Sequence, residues 1–268
     1  MDYALYAALL GLGLFFGMLL LLEVGRRIGV HRLAQDPEGA RAGFGTIEGA
    51  VLALLGLLLA FTVSGAGTRF DLRRNLVVEE TNAIGTAYLR LDMLPSAVQP
   101  MLRENFRRYV DARLKVYRES QGPSAFAIGL ATGTRLQGEI WRQAVAAVRS
   151  DGAPPQAAVV LLPALNQMID ITTTRAMATK MHPPLIIFIM LFALALVSAL
   201  LSGYGMAGGK SRSWLHMVCF ASIISVTIYV ILDLEYPRLG LIRIDAFDQA
   251  LVDLRESMNR DIQNPRQK

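Results

Sequence analysis

Apolar residues in this chain gather into long uncharged runs, and the stretches between them repeat apolar positions every three or four residues. Tyr3 to Leu22 is the first run, and Gly49 to Thr68 is the second. A third opens at Pro183/Pro184 and continues through Ile186, Phe188, Leu191, Leu194, Leu200 and Leu201 to Tyr204, and Trp214 to Leu232 is the fourth, with His216 near its start. At about 1.5 Å per residue, a helix of roughly 20 residues crosses a hydrocarbon core of about 30 Å, so the pattern predicts four transmembrane helices. Glu23 and the pair Arg26/Arg27 follow the first run with no small-residue cleavage site, which reads as a retained anchor and not a signal peptide.

The segment between the second and third runs has helical spacing throughout and no sustained alternation of the kind a sheet requires. Breakers at Pro95 to Pro100, Gln121 to Ser124 and Asp151 to Pro155 divide it into helices carrying Phe106, Tyr109, Val110 and Leu114, then Ile140, Trp141 and Val145, then a last helix from Ala157 to Lys180. Beyond the fourth run, Asp233 to Gly240 is rich in turn formers, and Phe247 to Met258 has the spacing of a short amphipathic helix. The expected fold is all-α: a transmembrane pair (1–67), a helical extramembrane domain (68–182), a second transmembrane pair (183–233) and an extramembrane tail (234–268).

Composition supports a membrane protein with an aqueous part: 53% of residues are hydrophobic and 18% charged, and the mean hydropathy is +0.38. Twenty-seven Lys+Arg against 22 Asp+Glu leave +5, but no basic block of the kind that grips nucleic acid. The single cysteine, Cys219, excludes an intrachain disulfide, and with three scattered histidines it argues against a zinc site, so no metal or cofactor is expected. Four spans would place the amino terminus, central segment and tail on one side. Arg26, Arg27, Arg32 and Arg41 in the first short loop, with Lys210 and Arg212 in the second, favour loops inside and the central domain outside.

No proline falls between Gly45 and Pro95, so the second span is expected to continue past the bilayer as one helix of about 50 residues. At 100° per residue, Thr46, Ala53, Leu57, Ala60, Ser64, Thr68, Asp71, Asn75, Glu79, Asn82 and Thr86 fall in one sector, small and apolar first, then polar. Phe70, Val77, Ile84, Tyr88 and Leu91 occupy an opposite sector, and Arg69, Arg73 and Glu80 lie away from the stripe. Arranged about an axis in a homo-oligomer, the stripe would line a tube. Leu57 and Phe61 would form a hydrophobic constriction, and rings of Asp71 and Glu79 would favour cations. The other reading is helix packing, in which small residues allow close approach and polar ones bond to a neighbour.

Arg73, Asp233, Glu235, Arg238 and Arg243 are a candidate gating or salt-bridge cluster near the exits of the second and fourth spans. Glu48 reads as an interfacial carboxylate paired with Arg41 or a neighbour, and Ser222, Ser225 and Thr227 as hydroxyls that either line a path or, as is commoner, bond to their own helix. Enzyme-like motifs do not hold up. Gly203-Tyr-Gly205-Met-Ala-Gly208 has the spacing of a dinucleotide fingerprint but follows a membrane helix where that fold needs a strand. Gly209-Lys-Ser211 lacks the first glycine of a phosphate loop, since position 204 is tyrosine. His31, His182 and His216 are far apart in sequence and form no catalytic motif.

The stretches Ile47 to Ala66, Val77 to Asp92 and Leu232 to Asp245 resemble bacterial membrane proteins of a bestrophin-like domain family. That resemblance, covering nearly the whole chain, implies a distant link to bestrophins, which are pentameric ion channels with four membrane segments per subunit and a second helix lining an apolar neck. It also implies a cytoplasmic central domain, opposite to the loop charges. This chain lacks counterparts of the bestrophin neck aromatics and of the calcium-binding acidic run. The combined expectation is a multi-pass homo-oligomer of a bacterial inner membrane, in contact with lipid and inorganic ions, that conducts ions through a pore lined by its second helix. The alternative is a non-conducting scaffold or envelope-stress sensor acting through its central helices.

Overall fold

The computed structural model describes residues 3–36, 44–118, 123–209, 213–237, 240–242 and 245–263. Among them every regular element is helical: α1 (Tyr3–Gln35), α2 (Phe44–Leu89), α3 (Gln99–Arg118), α4 (Pro123–Val148), α5 (Pro155–Ala178), α6 (Leu185–Gly205), α7 (Trp214–Glu235) and α8 (Asp245–Gln263). Short 3-10 turns, Arg90–Met93 and Met206–Gly208, extend α2 and α6. Prolines start helices where their missing N–H costs nothing, as at Pro155 after the extended Pro154. Gly152, with φ +85°, takes the left-handed turn between α4 and α5 that a residue with a Cβ would resist.

The expected count of four spans is corrected. Among the described residues, five helices are long and apolar enough to cross a membrane: α1, α2 with its 3-10 extension, α5, α6 with its extension, and α7. The addition is α5, whose Val159, Val160, Leu161, Leu162, Leu165, Met168, Ile169 and Ile171 are joined by only two charges, Asp170 and Arg175. A search for wholly uncharged runs passes over such a helix, because the two charges fall in its second half. The placement of both termini and the central segment on one side rested on an even count and falls with it.

The chain divides into two compact units, one formed by 1–70 and 181–243, the other by 71–180 and 244–268. In the first, α1 packs on α6 and α7 around Leu14, Met18, Leu22, Leu191, Ala195, Ala199, Met217, Ala221 and Ile228. The α1/α6 crossing is built from glycines: a Cβ on Gly25 would strike the Leu200 carbonyl, and one on Gly203 the Leu22 carbonyl. Small residues let membrane helices approach until dispersion and backbone contacts hold them, because lipid supplies no hydrophobic drive between helices. Outward-facing Phe16, Leu20, Leu185, Ile186, Ile223 and Val226 are exposed, as a bundle solvated by lipid requires.

In the second unit, α3 and α4 pack together and α8 lies on α3. Its core contains Ile84, Leu91, Leu102, Phe106, Tyr109, Val110, Leu136, Ile140, Leu161, Leu165, Leu251 and Met258. Each fully buried large side chain of this kind contributes about 1.5 to 3 kcal/mol relative to exposure in water. α5 supplies Ala157, Leu161, Ala164, Leu165 and Met168 to the same core. Polar pairs cross it: Asn105 donates to Gln143 at 2.8 Å, and Gln137 donates to the Tyr109 hydroxyl at 3.0 Å. α8 is held by Arg255 on Asp111 at 2.7 Å and by the Arg74 guanidinium 5.1 Å from the Phe247 ring centroid.

Candidate pore-lining face

α2 runs for 46 residues without interruption, about 69 Å at the usual rise. Its leucine- and alanine-rich first half favours helix. Gly65 and Gly67 do not break it, because neither needs a special backbone angle there. The outcome for its predicted stripe is uniform: Thr46, Ala53, Leu57, Ala60, Ser64, Thr68, Asp71, Asn75, Glu79, Asn82 and Thr86 are all exposed. Leu57 is 54% exposed and Phe61 69%, both large apolar side chains with little of their own chain against them. On the other side of the helix, Val77, Ile84, Tyr88 and Leu91 are buried and Phe70 is half-buried.

The helix is therefore two-sided along its length, packed on one side and uncovered on the other. Hydroxyls on the uncovered side remain local, since Thr68 donates to the Ser64 carbonyl at 2.9 Å. Asp71 lies 3.1 Å from Arg74, so the negative field expected at that level is partly offset by a neighbouring cation. Glu79 is exposed about two helical turns further on.

Glu80, next in sequence, has a different environment: its side chain is 0% exposed and accepts from Arg113 at 2.5 Å and from Arg175. Two guanidiniums against one buried carboxylate offset the cost of taking it out of solvent. Sequence reading placed Glu80 off the stripe but not its partners, which come from α3 and α5, 33 and 95 residues away.

The candidate charge cluster is drawn together only in part. Glu235, at the end of α7, accepts Arg69 Nε at 2.9 Å, and its other oxygen is 3.3 Å from His182 Nδ1. The sequence places Arg69 off the stripe of the second helix and shows His182 only as an isolated histidine. A salt bridge between the exits of the second and fourth spans is within the sequence expectation, whereas the approach of His182 to the same carboxylate has no sequence signal. Asp233 serves the backbone: it accepts the N–H groups of Leu241 at 2.9 Å and Ile242 at 2.7 Å, and closes the turn after α7. Gly240 sits so close to Asp233 that a Cβ there would overlap the carboxylate. Arg73 belongs to the second unit, where its Nε donates to the Ala178 carbonyl at 3.1 Å. Arg238 and Arg243 lie outside the described residues, as do Arg41, Lys210 and Arg212.

Gly203, first residue of the dinucleotide-like spacing, is buried against α1 and leaves no room for a phosphate. Glu48 lies beside Gly205, with the Phe44 and Tyr204 rings 4.7 Å apart, so the start of α2 rests on the end of α6. Ser225 is buried with its hydroxyl 4.0 Å from Met18 Sδ, and Thr227 donates to its own helix at Ile223. Among the described residues no group of three or more His, Cys, Asp or Glu could hold a metal ion.

A model of the bestrophin-like domain matches residues 12–246. The chain belongs to the bestrophin-like family. Its fold is similar to crystal structures of a bacterial bestrophin homolog from Klebsiella pneumoniae, solved as three variants. One variant gives a TM-score of 0.66 at 14% identity, covering 91% of this chain and 98% of that one, and a second gives 0.62 at 15%, covering 90% and 98%. None of the curated proteins matches. This bestrophin-like chain is thus a multi-pass membrane protein. Its helical spans are consistent with a bacterial inner membrane, because outer-membrane chains characteristically cross as closed β-barrels.

Proposed function

We propose that this bestrophin-like protein is a homo-oligomeric ion channel whose α2 lines the pore, with a mild preference for cations. The observation that carries the reading is the uncovered stripe from Thr46 to Thr86, continuous along a 46-residue helix whose other side is packed. A helix buried within its own subunit on one side and bare on the other for its whole length has a surface to spend on an axis shared with copies of itself. On this reading Leu57 and Phe61 form a dewetting constriction, and Ala60, Ser64 and Thr68 a narrow small-residue wall. Asp71, Asn75, Glu79 and Asn82 supply a hydrated mouth. Cation preference rests on Asp71 and Glu79 and is moderated by the Asp71–Arg74 pair.

Ion flux into liposomes holding the purified oligomer tests this. Leu57→Ala is expected to raise flux several-fold by widening and wetting the constriction, and Asp71→Asn with Glu79→Gln to lower the cation-to-anion ratio. A folded oligomer that passes no ions for wild type or either variant, across voltage and pH, would sink the channel reading in favour of a non-conducting scaffold or sensor.

A further inference from the structure

We propose that copies of this chain meet head to tail through the two flanks of α2: a ridge carrying Ile47 and Leu54 on one copy seats in the groove left by Gly49 and Gly56 on the next. All four positions lie in the uncharged part of α2, within the first compact unit. Ile47 is 62% exposed and Leu54 52%. Both glycines are exposed, and a Cβ added to either would meet nothing within 4 Å. Ridge and groove each recur after seven residues, and each glycine follows its ridge residue by two positions, about 200° round the helix. They therefore occupy opposite flanks. Ala53, Leu57 and Ala60 are exposed on the face between them, and Leu55 and Leu59 are buried behind.

Glycine is the poorest helix former after proline, and this unit places it where helices touch: a Cβ on Gly25 or Gly203 would strike the backbone of the facing helix. Gly49 and Gly56 serve no such contact within their own chain. In lipid, helices associate through close approach at small residues and through fit, because the surrounding tails supply no hydrophobic drive. A branched apolar ridge fits a glycine groove of the same repeat, as ridges fit grooves in helix packing generally. Charge decides which flank meets which. Further along the same continuous helix, Arg74 falls in line with Gly56, and Glu79 falls within about 20° of Leu54. The groove flank thus continues into a cation, 38% exposed and 3.1 Å from Asp71, and the ridge flank into an exposed carboxylate. Two groove flanks face to face in parallel copies would set Arg74 against Arg74. Ridge on groove sets Glu79 towards the Arg74 of the next copy. Such a heterologous contact closes into a ring by rotation, and it turns Ala53, Leu57 and Ala60 of every copy towards the axis.

This contact rests on the homo-oligomer of the channel reading and not on conduction. The test is cross-linking of the full-length protein in membranes, with Cys219→Ser as background and Leu54→Cys, Gly56→Cys or both on one chain. Oxidation of the double variant is expected to give a ladder of bands on a denaturing gel that stops at the number of subunits in the ring. Each single variant is expected to stay monomeric, because a disulfide needs Cα atoms within about 7 Å and like positions on neighbouring helices are a helix width of about 10 Å apart. Dimers from Gly56→Cys alone would mean a two-fold glycine contact and overturn the proposal, as would a double variant that gives no ladder. A second readout needs no cysteine. Gly56→Leu fills the groove without touching its own chain, and is expected to raise the monomer fraction in mild detergent by about tenfold, measured by light scattering, with helicity unchanged. Gly13→Leu, on α1 and equally free of neighbours within 4 Å, is expected to match wild type. Gly56→Leu that stays as oligomeric as wild type overturns the contact. Flux separates this contact from the channel: a ladder without flux removes the channel and leaves the interface, and flux without a ladder removes the interface and leaves the channel.

Discussion

Gly203 and Glu80 show two ways in which one side chain, or its absence, holds this protein together. At Gly203 the constraint is space: a Cβ would meet the backbone of Leu22, and backbone cannot move aside as a flexible side chain can. Gly203→Val is expected to destabilise by at least about 1 to 3 kcal/mol, read as a lower melting temperature in detergent. Gly13→Ala, where nothing lies within 4 Å, should leave it unchanged or slightly raised. At Glu80 the constraint is charge. Glu80→Gln leaves Arg113 and Arg175 buried against a neutral amide, a loss of about 3 to 5 kcal/mol for a broken buried pair. The melting temperature of Glu80→Gln should accordingly fall well below that of wild type; an unchanged melting temperature would show that the pair does not hold α2 to α3 and α5.

At the scale of the element, α2 is the helix on which the channel proposal stands. Its exposed and buried sides alternate with helical period through both the uncharged run and the charged continuation, and cysteine scanning after Cys219→Ser reads that period. Substitutions at Leu57, Ser64, Thr68, Asp71, Asn75 and Glu79 are expected to react with a small water-soluble thiol reagent, and those at Leu55, Leu59, Ala66, Val77 and Ile84 to be protected. Protection of the whole stripe would make it a subunit contact. The stripe was legible in sequence because a long helix converts spacing directly into direction, with no tertiary information needed. α5 was not, because two charges in an otherwise apolar helix hide it from a search for uncharged runs. Helix ends followed proline and glycine closely: α4 stops at Val148 and α5 begins at Pro155, around the expected Asp151 to Pro155 break.

For the whole molecule, local sequence determined the all-α class, the long apolar helices, the two-sided α2 and, through specific stretches on both sides of the central segment, the bestrophin-like family. Each of these depends on residues a few turns apart on one helix, or on motifs that survive as linear strings. Tertiary structure alone decided which distant residues meet. Arg69 is 166 positions from Glu235, and His182 is 53 from it. Glu80 finds its guanidiniums on α3 and α5, and the fingerprint-like Gly203 becomes a packing contact on α1. The physical reason is that a charge or a glycine has no directional signature in sequence. Its meaning comes from what the fold brings within about 3 Å of it, and that is set by packing summed over the chain.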